Sequence, residues 1–148
     1  MLQERFGFLD ADLKKPEHDT MILYIEDNIE DILMLVLSLP DRPKGVPVKW
    51  EPVVRLSQEG GMLVGFVDLL AGYGLSRVLF EAKTAIPSLG ELFRQVRMYK
   101  EGYIGGEPVS EMPFVIVCPD DTHAETLRRQ GLYFLKYDPA QSFSMGGV

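Results

Sequence analysis

Between Pro47 and Lys83, three apolar, β-branched runs are separated only by short glycine-bearing turns, and this spacing restricts the fold more than any other feature. Pro47–Arg55 alternates as a strand, with Pro52 marking an edge position or a bulge. Gly60-Gly61 turns the chain back, Met62–Leu70 forms a second strand, and Gly72-Tyr73-Gly74 leads into a third, Arg77–Lys83. Strands joined so closely must be antiparallel neighbours, which predicts a three-stranded meander.

Around the meander, residues 1–17 read as an N-terminal arm. A helix capped by Asp19 or Thr20 runs to about Leu39, since Ile22, Ile25, Ile29, Ile32, Leu33 and Val36 recur at helical spacing. After the meander, Ser88-Leu-Gly-Glu91 has the spacing of a capping box and opens a helix to about Glu101. A loop through Gly102, Gly105 and Gly106 leads to a buried strand, Pro113–Cys118, and Thr122-His-Ala-Glu125 caps a short helix ending at Gly131. Leu132–Tyr137 is the last strand, and 142–148 form a flexible tail. The expected architecture is α/β: one domain over 18–141, with a mixed sheet of meander and crossover strands flanked by helices.

Composition narrows function. With 46% hydrophobic and 25% charged residues and no long apolar run, the chain has the balance of a globular domain not embedded in a membrane. The N-terminal Met-Leu-Gln-Glu-Arg-Phe-Gly lacks the basic start and apolar stretch of a secretory signal, so the expected location is cytoplasmic. The single cysteine, Cys118, reads as a buried thiol. A net charge of −7 argues against nonspecific coating of nucleic acid, which depends on Lys and Arg neutralising phosphates. A local basic surface beside a metal-holding acidic site remains compatible with that total.

Chemistry concentrates at Phe80-Glu81-Ala82-Lys83 and at Asp68, which interrupts the apolar run Val64-Gly-Phe-Val. An isolated Glu-x-Lys is usually a solvated pair on an exposed strand. Here Val78, Phe80 and Ala82 form the other face of the strand, and an acid within an apolar run is costly unless partnered. If the second and third strands pair, Asp68 and Glu81 converge near one end. Two such carboxylates call for a cation, and hard oxygen donors suit Mg²⁺ or Mn²⁺. Lys83 falls on the face of Glu81, where its ammonium meets a phosphate or an attacking water. On the following helix Gln95 and Tyr99 share a face, with Arg94, Arg97 and Lys100 close by as a basic surface for a DNA backbone.

The ordered set Gly65-x-x-Asp68, Glu81-x-Lys83 and Gln95-x-x-x-Tyr99 resembles the RecB-like branch of the PD-(D/E)XK nuclease superfamily, over most of the chain. The resemblance implies a restriction-endonuclease-like core and Mg²⁺- or Mn²⁺-dependent hydrolysis of DNA phosphodiesters. It implies Asp68, Glu81 and the Ala82 carbonyl as metal ligands, Lys83 as the catalytic lysine, and Gln95 and Tyr99 as groups that position site or substrate. An additional acid is expected from Glu26, Asp19 or Glu51. Val67 stands where the family's eponymous proline would be, and no cysteine set for an iron–sulfur cluster is present. DNA is the implied partner, with a homodimer or a partner subunit supplying a second site or specificity. The alternative from another class is a non-catalytic interaction or scaffold module on the same fold.

Of the remaining residues, His18 and His123 lack ligand spacing and read as helix-start residues. Trp50, Tyr133 and Phe134 read as core rather than base-stacking platforms, and Asp120-Asp121 as a cap region. No Gly-Lys-Ser/Thr follows the glycines at 102, 105 and 106, which argues against a phosphate-binding loop.

Overall fold

The computed structural model describes residues 16–140; the expected arm, apart from its last two residues, and the expected tail lie outside them. Helices α1 (Pro16–Asp27) and α2 (Ile29–Val36) come first. Strands β1 (Val48–Trp50), β2 (Val53–Ser57), β3 (Gly60–Phe66), β4 (Leu69–Tyr73) and β5 (Ser76–Ala82) follow. Next are α3 (Leu89–Lys100), the two-residue strands β6 (Tyr103–Ile104) and β7 (Glu107–Pro108), a single 3₁₀ turn at Val109–Glu111, β8 (Phe114–Cys118), α4 (Ala124–Arg129) and β9 (Tyr133–Lys136). Among the described residues, no helix is long and apolar enough to cross a membrane.

The fold is mixed α/β, with two sheets rather than the single sheet expected. The main sheet has the order β1-β4-β5-β8-β9, antiparallel from β1 to β5 and parallel from β5 to β9. The second is antiparallel, β3-β2-β6-β7. Two of the strands expected to be continuous divide between them. Pro47–Arg55 breaks at Glu51-Pro52, where Glu51 takes a left-handed φ of 54°. Met62–Leu70 breaks opposite, at Val67-Asp68. Pairing survives the bend, because Glu51 N–H donates to the Asp68 carbonyl at 3.0 Å and Val67 N–H to the Pro52 carbonyl at 3.2 Å. One hairpin therefore passes from sheet to sheet, and Asp68 sits at its elbow.

Side-chain alternation on the main sheet feeds two hydrophobic clusters on opposite faces. Val78, Phe80 and Ala82 of β5, with Val115 and Val117 of β8, pack under α1 and α2. Leu79 of β5, with Phe114, Ile116 and Cys118 of β8, packs under α3 and α4. Cys118 is buried, as its apolar run requires.

Several local readings change. The first helix begins at Pro16, ahead of the expected cap at Asp19 or Thr20, and is interrupted at Asn28. Half of the box at Ser88 forms, its hydroxyl accepting from Glu91 N–H at 3.2 Å. The one at Thr122 does not: the Thr122 hydroxyl and N–H both donate to Asp120 Oδ1, and His123 takes the N-cap position without a side-chain bond. The glycine-rich loop holds the β6–β7 hairpin, turned by Gly105 and Gly106 at φ 56° and 83°. Trp50 and Tyr133, expected in the core, are 37% and 42% exposed, while Phe134 is buried.

Candidate active site

Because Leu69 pairs with Phe80 in the antiparallel β4–β5 ladder, Asp68 falls beside Glu81. Both carboxylates are buried, Asp68 at 2% and Glu81 at 1% exposure, and Lys83 follows at 7%. The Asp68 N–H donates to Glu81 Oε1 at 3.3 Å, and the Ala82 N–H donates to Asp68 Oδ2 at 2.8 Å. Lys83 Nζ lies 3.5 Å from Glu81 Oε2, and its main-chain N–H is anchored on the Val117 carbonyl at 2.8 Å. The expected triad is thus assembled, its backbone held by the parallel β5–β8 ladder.

Helix α3 supplies the roof. Gln95 Nε2 donates to Glu81 Oε2 at 3.1 Å and lies 3.4 Å from the Tyr99 hydroxyl, which donates to the Phe66 carbonyl at 2.9 Å. Gln95 fixes the Glu81 rotamer, and Tyr99 ties α3 to the end of β3, just before the elbow. Arg94 and Arg97 are exposed on α3, and Lys100 is half-buried; no bond joins them to Asp68 or Glu81 among the described residues.

The residue that sequence reasoning missed is His18. It is fully buried in the first turns of α1, and its Nε2 lies 3.2 Å from Asp68 Oδ2. Its Nδ1 has no hydrogen-bond partner, the nearest carboxylate oxygen being Asp19 Oδ1 at 3.6 Å. The one available signal was a histidine at the start of a helix whose other inward positions are apolar. Of the three candidate extra acids, Asp19 stands beside His18, with its side chain largely exposed. Glu26 accepts the Trp50 indole N–H at 3.1 Å, and Glu51 is exposed at the strained position on the bend.

Electrostatics follow from the crowding. Burial, and then the neighbouring Asp68 charge, push the Glu81 carboxyl well above the usual carboxylate range, against the opposing pull of Lys83. For His18, burial disfavours the imidazolium, but the bond to Asp68 and the charges of Asp68 and Glu81 outweigh it and raise its pKa. Burial keeps the Tyr99 hydroxyl neutral. A proton or a cation between the carboxylates would relieve the strain on Glu81. Among the described residues, no three His, Cys, Asp or Glu side chains form a ready metal cage. A cation would have to be held by the two carboxylates with a main-chain carbonyl. Each carboxylate oxygen carries two lone pairs, so the hydrogen bonds above leave acceptor capacity.

No family model, curated protein or solved structure matches this chain.

Proposed function

We propose that the protein is a divalent-metal-dependent DNA nuclease built on a restriction-endonuclease-like core of the PD-(D/E)XK kind. The observation that carries this reading is the burial together of Asp68, at the bend before β4, and Glu81, on β5, with the Lys83 ammonium 3.5 Å from Glu81. A carboxylate such as Glu81, perturbed by burial and a neighbouring like charge beside a specific cation, is a functional-site candidate. The order of a helix, antiparallel strands, a helix and a parallel strand agrees with the core that the sequence motifs imply.

Asp68 and Glu81 would hold Mg²⁺ or Mn²⁺, joined by the Ala82 carbonyl. The cation, when bound, would supply Lewis acidity and lower the pKa of an attacking water. The protein's own groups do the rest. Lys83 places positive charge where a phosphate oxygen gains negative charge during attack. Gln95 holds Glu81 in a single rotamer, and Tyr99 fixes the Phe66 carbonyl beside the elbow. His18 holds Asp68 from the side of α1.

A second reading, a non-catalytic interaction module on the same fold, is favoured by the absence of a ready three-ligand cage among the described residues. Calorimetric titration with Mn²⁺ separates the two. The nuclease reading expects saturable binding that is lost in Asp68→Ala and in Glu81→Ala. A wild-type protein that takes up no Mn²⁺ at millimolar concentration favours the module.

A further inference from the structure

Toward the end of β5 away from Glu81, past the fully buried Leu79, the main sheet opens into a cleft. On β5, Arg77, Leu79 and Glu81 share a face by alternation, and Arg77 lies about 13 Å from Glu81 at the strand rise of about 3.3 Å per residue. Two cavities adjoin there, of about 610 Å³ and about 450 Å³, and both are lined by Lys49, Leu70 and Arg77. Leu70 stands two residues from Asp68 on β4.

Cations and aromatic rings are interleaved in the walls. Lys44, Lys49, Tyr73 and Arg77 line the smaller cavity, and Lys49, Arg55, Arg77 and Tyr103 the larger. The larger also has two acids, Glu59 and Glu107, and Glu107 lies 3.7 Å from Arg77. The cleft is therefore net positive in a chain of net charge −7. Its arginines are aimed by the backbone: Arg55 Nη1 donates to the Gly61 carbonyl, and Arg77 Nη1 to the carbonyls of Gly74 and Ser76.

A positive groove that tracks a phosphate backbone, with aromatic side chains for successive bases, is the general solution for binding single-stranded nucleic acid. Each cavity is of drug-ligand size, about 300–1,000 Å³, which admits one or two nucleotides rather than a paired helix. We propose that this cleft binds single-stranded DNA and leads it toward Glu81, so that the substrate is a single strand or an unpaired end. This inference rests on the nuclease reading for its substrate, although binding can be measured without cleavage.

The test is fluorescence anisotropy of a labelled oligothymidylate and of a short duplex against the full chain, with Ca²⁺ replacing Mg²⁺. Wild-type protein should bind the single strand more tightly than the duplex. Lys49→Glu with Arg55→Glu should weaken that binding at least 10-fold and flatten its salt dependence by about two phosphate contacts. Tyr103→Ala should weaken single-strand binding about 5- to 150-fold, the range for one lost base stack. Lys44→Gln with Lys49→Gln, both at exposed positions, gives a milder loss if charge reversal disturbs folding. Cleft variants that bind like wild type, or a wild type that binds no single strand, overturn the proposal. It is also overturned if only Arg94→Glu with Arg97→Glu abolishes binding, which places the track on α3. Cleft-dependent binding with no cleavage in Mg²⁺ or Mn²⁺ removes the nuclease reading and leaves the cleft. Cleavage whose kcat/KM ignores the cleft variants does the reverse.

Discussion

Glu81 and Asp68 are joined through the backbone as well as by proximity: the Asp68 N–H donates to Glu81 Oε1 at 3.3 Å, so the elbow of one hairpin holds the carboxylate of the next strand. The two acids cannot separate without breaking the bend between the sheets. Their repulsion is a fixed cost of the fold, and the properties of the site follow from it.

Stability without divalent metal should fall as pH rises. Glu81 has a folded-state pKa above its unfolded value, so the native state binds more protons as pH climbs from the ordinary carboxylate range, and stability is lost across that window. His18, also raised, contributes stability that is present below about pH 6.5 and lost as pH passes through its folded pKa. Both effects have the same sign. Thermal melts in chelator from pH 5 to pH 8.5 should show Tm decreasing, and Glu81→Gln should flatten the decrease while abolishing activity.

His18→Ala removes the imidazole from Asp68 Oδ2 at a fully buried position. Loss of one partner of a buried polar pair costs about 1–3 kcal/mol. That loss should be seen in chemical denaturation, together with weaker Mn²⁺ binding in calorimetry. Unchanged metal affinity would confine His18 to a structural role.

Tyr99→Phe deletes the bond to the Phe66 carbonyl and the Gln95 contact while keeping the ring stacked on Phe114. The expected cost is about 0.5–1.5 kcal/mol of stability. Steady-state kinetics should show kcat falling with little change in KM, because the fully buried Tyr99 bonds to Gln95 and to the Phe66 carbonyl.

Gly102→Ala tests the seam between α3 and the second sheet. A Cβ there would meet Val54 Cγ1 at 2.5 Å and the Arg55 carbonyl at 2.8 Å. Because the clash involves backbone, overpacking of about 1–3 kcal/mol is expected, read as a lower midpoint in urea.

The convergence of Asp68 and Glu81 was legible because it needs only two facts: strands joined by a short glycine turn pair antiparallel, and side chains alternate along them. The faces of α3 were equally legible, since Gln95 and Tyr99 lie four residues apart. The second sheet was not. Pro52 signalled an irregularity, but nothing in Trp50-Glu51-Pro52 says that the strand leaves one sheet for another, a change set by tertiary packing. His18 was missed for the same reason: Asp68 reaches α1 only because it sits on that bend. The β6–β7 hairpin has two residues per strand, too few for alternation to register, and Trp50 is exposed because β1 is an edge.

A cleavage assay asks whether Asp68, Glu81 and Lys83 form a nuclease centre. Linear duplex, circular single-stranded and branched DNA are incubated with wild type and with Lys83→Ala, in Mg²⁺, in Mn²⁺ and in chelator. The expected result is metal-dependent cutting by wild type, strongest where unpaired strand is available, and at least a 100-fold loss in Lys83→Ala, the scale of removing one charge-stabilising group. Wild-type protein that leaves every substrate intact with both metals, or a Lys83→Ala variant that cuts at the wild-type rate, contradicts it.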